Sequence, residues 1–159
     1  MNDFRVGFGY DVHPLVPGRK LVVGGVPFNY HKGASGHSDA DVLLHALSDA
    51  LLGAAGLNDI GNYFPDSDPK YKDIDSQLIL KEVHKLILGK GFIVNNVDAT
   101  VVLQEPRISD QVPKMKSIIG SILNINTNDV SVKATTTEHL GYIGSGDGIA
   151  AFAIVSIRA

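Results

Sequence analysis

Asp11 and His13 stand two residues apart in a stretch whose side chains alternate in polarity, a spacing that puts a carboxylate and an imidazole on one face of an extended strand. Two groups so placed can share one ion. His45, two turns into a helical pattern that begins at Asp39, lies on the helix face of Asp41 and Ser48 rather than on the Leu43, Leu47 and Leu51 stripe, and so projects toward a polar site. One carboxylate and two imidazoles form a common divalent-metal set. The chain has no cysteine, which excludes disulfides, thiolate nucleophiles and sulfur-bound zinc, so an ion must be held by nitrogen and oxygen. Tetrahedral zinc with one open position, available to a substrate phosphate oxygen, fits this set; ferrous sites use the same ligands, so the motif alone does not choose the metal. A solvated Asp beside a structural His is the competing reading of an isolated D-x-H pair.

Three further clusters could act on a phosphorylated ligand. Gly36-His37-Ser38-Asp39 stands at the start of the same helix, where Ser38 reads as the N-cap and neighbouring free amides, with the helix dipole, favour an anion. Asp59, Asp66 and Asp68 fall in DIGNYFPDSDP, whose carboxylates could accept hydrogen bonds from substrate hydroxyls or belong to a solvated turn. Thr135-Thr136-Thr137-Glu138 offers hydroxyls, amides and one carboxylate to a phosphate and its magnesium, with plain strand propensity as the alternative for the threonines. His31 and His84 have no partner pattern and read as surface or structural residues.

The elements that must position these groups follow from periodicity. Phe4, Val6, Phe8 and Tyr10 alternate with Arg5, Gly7, Gly9 and Asp11, a half-buried strand running to about His13, and a second strand covers Lys20 to Val23. Residues Tyr30 to Ser38 read as a loop, and Asp39 to about Ala55 as a helix, with Asp41 resembling the acidic partner in a capping box and Gly56 closing it. A short helix at Ile60 to Phe64, an amphipathic one at Ser76 to Leu88, a Val/Thr-rich strand at Ile93 to Leu103, a helix at Gln111 to Leu123, and strands at Val130 to Thr135 and Ile149 to Ile157 complete the order. The expected fold is α+β: one domain spanning residues 1–159, a mixed β-sheet with helices packed on one face. Apolar residues on both faces of the last strand leave the other sheet face needing a cover, from self-association or from loops.

With 159 residues, 44% of them hydrophobic, the chain can bury one core; with 19% charged residues and a net charge of −3 it carries no global signal for nucleic acid or an anionic membrane. The opening MNDFRVGFGYDVH lacks a basic start, an apolar centre and a cleavage site, and no stretch approaches the ~20 apolar residues of a membrane span, so a cytoplasmic protein is expected.

GYDVH (Gly9 to His13), GHSDADVLLHALSDALLGAAGLNDIG (Gly36 to Gly61), FPDSDP (Phe64 to Pro69) and VKATTTEHLGYIGSGDGI (Val132 to Ile149), in that order, resemble the 2-C-methyl-D-erythritol 2,4-cyclodiphosphate synthase family. The resemblance implies a homotrimer with active sites between subunits. It also implies an enzyme of the non-mevalonate isoprenoid pathway that takes 4-diphosphocytidyl-2-C-methyl-D-erythritol 2-phosphate to the cyclic diphosphate and CMP. By the same resemblance Asp11, His13 and His45 hold zinc or another divalent transition metal, and Glu138 holds magnesium or manganese. His37, Ser38, Thr136 and Glu138 act at the phosphates, while Asp59, Ile60, Gly61, Phe64, Asp66 and Asp68 hold the methylerythritol. Leu103, Pro106, Arg107, Ala134, Thr135 and Thr136 match the cytidine pocket, with Thr137 and Tyr142 beside them. Ser145 departs from the arginine that many members carry facing the trimer's central cavity, His139 replaces a frequent lysine, and Tyr10 a frequent phenylalanine. A metal-dependent phosphohydrolase and a non-catalytic trimeric metabolite-binding protein are the rival readings.

Overall fold

The computed structural model describes residues 4–159, so the first three residues of the segment read for a signal lie outside it. Four strands come first: β1 (Phe4–Pro17), β2 (Leu21–Val23), β3 (Val26–Phe28) and β4 (Lys32–Ala34). Helices α1 (Val42–Ala54), α2 (Ile60–Tyr63) and α3 (Ser76–Gly89) precede β5 (Ile93–Val102), and α4 (Val112–Leu123), β6 (Val130–Thr135), α5 (Gly141–Gly144) and β7 (Gly148–Arg158) follow. The main sheet has the order β4-β1-β7-β5-β6, with β5 and β6 parallel and the other pairs antiparallel. It is the mixed sheet expected, with α1 packed on β1 and β7, α4 on β6, and α3 against both helices. Most helix and strand boundaries fall within a residue or two of the periodic patterns that marked them.

Three expectations are corrected. The segment Tyr30 to Ser38 is not wholly loop, because β4 within it pairs with the end of β1. The second strand does not join the main sheet; β2 closes on β3 as a separate hairpin through Gly24-Gly25, both with positive φ as a two-residue turn demands. And α1 starts at Val42, capped by Asp41 rather than Ser38, since Ala40 has φ 56° and cannot continue a helix backward. His45 is therefore in the first turn, not the second.

Asp41 is the better cap because its fully buried carboxylate serves more than the helix. It accepts from the Leu44 amide at 3.1 Å and from Gly24 and Gly25 amides at 2.9 and 2.7 Å, tying the start of α1 to the hairpin turn. Asp41→Ala strands three donors, two of them buried, and the expected loss is about 3–5 kcal/mol of unfolding free energy from lost capping and unsatisfied N–H groups. Urea denaturation checks this; a loss under about 1 kcal/mol contradicts the assignment.

The alternation of β1 holds, but the large residues are the exposed ones. Gly7 and Gly9 face α1, so close that a Cβ built on them would lie 1.8 Å from the Ala50 carbonyl oxygen and 1.9 Å from that of Ala46. Beyond them on the same strand face come Asp11 and His13, which meet the first turn of α1. Phe4, Val6, Phe8 and Tyr10 point away with Phe152 and Ile154 of β7, Phe8 being 62% exposed. Their rings cluster, with Phe152 6.3 Å from Phe8 and 5.0 Å from Tyr10. His84 is buried between α3 and α4, and His31 is exposed with its ring tilted against Tyr30 at 4.4 Å, a structural and a surface position.

Candidate active site

The three residues singled out for metal binding converge. Asp11 Oδ2 lies 2.9 Å from His13 Nε2 and 3.1 Å from His45 Nδ1, and the two nitrogens are 3.3 Å apart. Ligand atoms about 2.0–2.1 Å from a tetrahedral ion sit about 3.3 Å from one another, so these atoms occupy three corners of such a shell with little adjustment. The donor set, one carboxylate and two imidazoles, suits a divalent transition metal. Burial pushes the Asp11 carboxyl up, but hydrogen bonds and charge from His13 and His45 outweigh it and hold it at about 2, so it is an anion at neutral pH. Burial lowers the affinity of His45 for a proton, yet Asp11, Asp41 and Asp39 together raise it above the ordinary histidine range. Asp11 thus faces His45 Nδ1 with negative charge, which favours a cation between them.

The triad opens into a cavity of about 450 Å³ lined by His37 and Ser38 at the metal end and by Ile60, Gly61, Phe64 and Asp66 opposite. Asp49, one turn beyond His45 on α1, accepts from the Ile60 amide at 2.7 Å and so anchors α2 beside the metal site. Sequence reasoning missed Asp49 because its helical spacing is shared by any solvated Asp. Asp59 caps α2, accepting from the Asn62 amide and side chain, and its exposed carboxyl is lowered by those bonds. Asp68 caps a short turn at Pro69–Tyr71 and pairs with Lys70 at 3.0 Å, while its carbonyl lies 3.4 Å from His37 Nε2.

The expected row of free amides before α1 is absent. The Asp39, Ala40 and Asp41 amides donate to Ile74 O at 3.1 Å, Ser38 Oγ at 3.0 Å and Asp39 Oδ1 at 3.2 Å. Ser38 thus spends its oxygen on a local turn rather than on the helix.

The remaining singled-out residues lie elsewhere in the chain. Leu103, Pro106, Arg107, Ala134, Thr135 and Thr136 line a cavity of about 610 Å³ whose wall also includes Tyr30, which carried no sequence signal. This cavity shares no lining residue with the triad cavity. Thr137 and Tyr142 line a third, of about 300 Å³, on the uncovered sheet face. Glu138 is exposed, in a left-handed backbone conformation at φ 52°, with Thr136 Oγ1 donating to its Oε1 at 3.4 Å. Within one chain the candidate residues thus form a metal-end group and a separate threonine-rich group.

Comparison with known proteins bears on both groups. A protein from Moorella thermoacetica named 2-C-methyl-D-erythritol 2,4-cyclodiphosphate synthase is 57% identical over 95% of this chain and 93% of its own length. One of the same name from Alkaliphilus oremlandii is 55% identical over 96% of this chain and 98% of its own. Among solved structures, bifunctional IspDF from Campylobacter jejuni matches with a TM-score of 0.95 and 40% identity over 99% of this chain, which spans 43% of that longer chain. Plasmodium falciparum IspF in a CDP complex matches with a TM-score of 0.86 and 35% identity over 99% of this chain and 97% of its own. The YgbB family model covers residues 4–158, and with relatives more than half identical along nearly its whole length, this chain belongs to the YgbB family.

Proposed function

We propose that the protein is a cyclodiphosphate synthase acting on 4-diphosphocytidyl-2-C-methyl-D-erythritol 2-phosphate in non-mevalonate isoprenoid synthesis. The observation that carries the reading is the Asp11, His13 and His45 triad at the head of a cavity walled by His37, Ser38 and the α2 segment. An oxygen of the 2-phosphate attacks the β-phosphorus, the bond from that phosphorus to the bridging oxygen breaks, and CMP leaves with the bridging oxygen. The nucleophile is already ionised, so no base and no covalent residue is required. The obstacle is repulsion between phosphates, and positioning with charge neutralisation removes it.

Each group of residues then has a task. His37 and Ser38 hold phosphate oxygens at the triad; Asp59, Ile60, Gly61, Phe64, Asp66 and Asp68 orient the methylerythritol; Leu103, Pro106, Arg107, Ala134, Thr135 and Thr136 receive the cytidine. Thr136 and Glu138 stand at the diphosphate, with Thr137 and Tyr142 beside them. When bound, zinc or another divalent transition metal at the triad and magnesium or manganese at Glu138 neutralise phosphate charge. The CDP named in the Plasmodium complex accords with a cytidine subsite.

We infer further that this single catalytic domain, residues 1–159, works as a homotrimer in the cytoplasm. Two separate half-sites in one chain, and an uncovered apolar face, support shared sites between subunits. Among the described residues no helix is long and apolar enough to cross a membrane. Phe8→Arg puts a charge in the centre of that face without touching the helix-side core, so light scattering should report monomers at micromolar concentration; an intact trimer contradicts this assignment of the interface.

Phosphorus NMR with zinc, magnesium and the cytidyl substrate tests the activity. Cyclic diphosphate and CMP are expected. Inorganic phosphate would make the protein a hydrolase, and no turnover by metal-loaded trimers would make it a binding protein or an enzyme for another substrate.

A further inference from the structure

Behind His45, on the side away from Asp11, lies a second hydrogen-bonded chain. His45 Nε2 is 2.9 Å from Ser76 Oγ, and Ser76 Oγ donates to Asp39 Oδ1 in a short contact. Ser76 is fully buried at the start of α3, 31 residues from His45 in sequence. The proton inventory orders this chain. The single hydroxyl proton of Ser76 points to Asp39. The lone pairs of Ser76 are then all that face His45, and Nε2 must carry the proton it shares with them. Ser38 Oγ, which accepts from the Ala40 amide, also lies 3.2 Å from the same nitrogen. The nitrogen left for a metal is Nδ1, the one that faces Asp11 and His13.

We propose that Ser76 and Asp39 are positioning residues: a carboxylate–hydroxyl relay that fixes His45 as an Nδ1 metal ligand. Hydrogen-bonded partners behind a ligating imidazole set its tautomer and orientation and raise its basicity, and their loss typically weakens metal affinity about 10–100-fold. The relay also joins the metal site to the end of the substrate-side loop. Asp39 Oδ2 accepts from the Ser76 amide at 3.1 Å, the Asp39 amide donates to Ile74 O at 3.1 Å, and the Asp73 amide donates to His37 O at 2.7 Å. Metal loading and ordering of residues 73–76 are thereby coupled. The inference rests on the metal reading of the triad and not on the identity of the substrate.

Zinc affinity is measured by chelator competition on the full chain for wild type, Ser76→Ala, Ser76→Thr and Gln77→Ala, with thermal melts of the metal-free proteins. Ser76→Ala keeps the backbone bond to Asp39 and removes only the hydroxyl. It should bind zinc about 10–100-fold more weakly at a metal-free Tm near that of wild type, while Ser76→Thr and Gln77→Ala remain within about threefold. Nitrogen-15 NMR of the zinc-loaded wild type, which needs no variant, should show His45 ligated through Nδ1 with Nε2 protonated. Unchanged affinity in Ser76→Ala, or ligation through Nε2, overturns the relay. A wild type that takes up no zinc overturns the triad reading itself, and the relay with it.

Discussion

His45→Ala should lose its bound transition metal on gel filtration and turn over at least about 10³-fold more slowly than wild type, while staying folded. The triad atoms, 2.9, 3.1 and 3.3 Å apart, fit three corners of a coordination shell, and the variant removes the corner on α1. Two ligands on one strand remain, too few for a tight site. A 10³-fold loss corresponds to about 4 kcal/mol of transition-state stabilisation, within the several kcal/mol a metal supplies to phosphoryl chemistry. The loss should fall on kcat as well as KM, since charge neutralisation matters most as the new P–O bond forms. Metal analysis beside phosphorus NMR reads both halves. A variant that keeps its metal and its rate would remove the triad from the mechanism.

Gly9→Ala should cost more than about 3 kcal/mol in stability, because overpacking against backbone has no flexible side chain to absorb it. The added Cβ would sit 1.9 Å from the Ala46 carbonyl oxygen and 2.8 Å from the Ala50 amide nitrogen. Ordinary van der Waals separation requires α1 to retreat by more than an ångström. His45 precedes Ala46, so the same retreat carries it off Asp11 and His13. The variant should therefore lose metal along with stability, though it touches no ligand. Gly53→Ala is the control: nothing lies within 4 Å of that added methyl, and an exposed helical alanine should stabilise by about 0.5–1 kcal/mol. Chemical denaturation separates the two, and equal stability of Gly9→Ala and wild type would mean that strand and helix are not packed as closely as described.

These two positions mark what could be read from sequence. The two-residue spacing of Asp11 and His13 and the absence of cysteine pointed to a nitrogen and oxygen metal site, and His45 was recognisable as the helical residue off the leucine stripe. Helices and strands with strong periods, such as α3, α4, β5 and β7, were legible to within a residue or two because their spacing is a local property of the chain. The cap of α1 was misplaced because Ser38 and Asp41 are both good caps locally. The choice depends on the Gly24 and Gly25 amides, which reach Asp41 only after the hairpin has folded.

Local periodicity, residue chemistry and the likeness to a known family were thus determined by the sequence alone. Tertiary structure decided which face of β1 packs inward, where the second strand goes, and that Ser76 and Asp39 stand behind His45. Hydrophobicity favoured burying Phe4, Val6 and Phe8, yet the glycine face is inside, because a helix can approach a sheet to backbone contact only where side chains are missing. Contacts between residues 31 apart leave no periodic trace in a sequence. They arise when packing brings separate elements together, and the hydrogen-bonding needs of the groups left inside then select which of them pair.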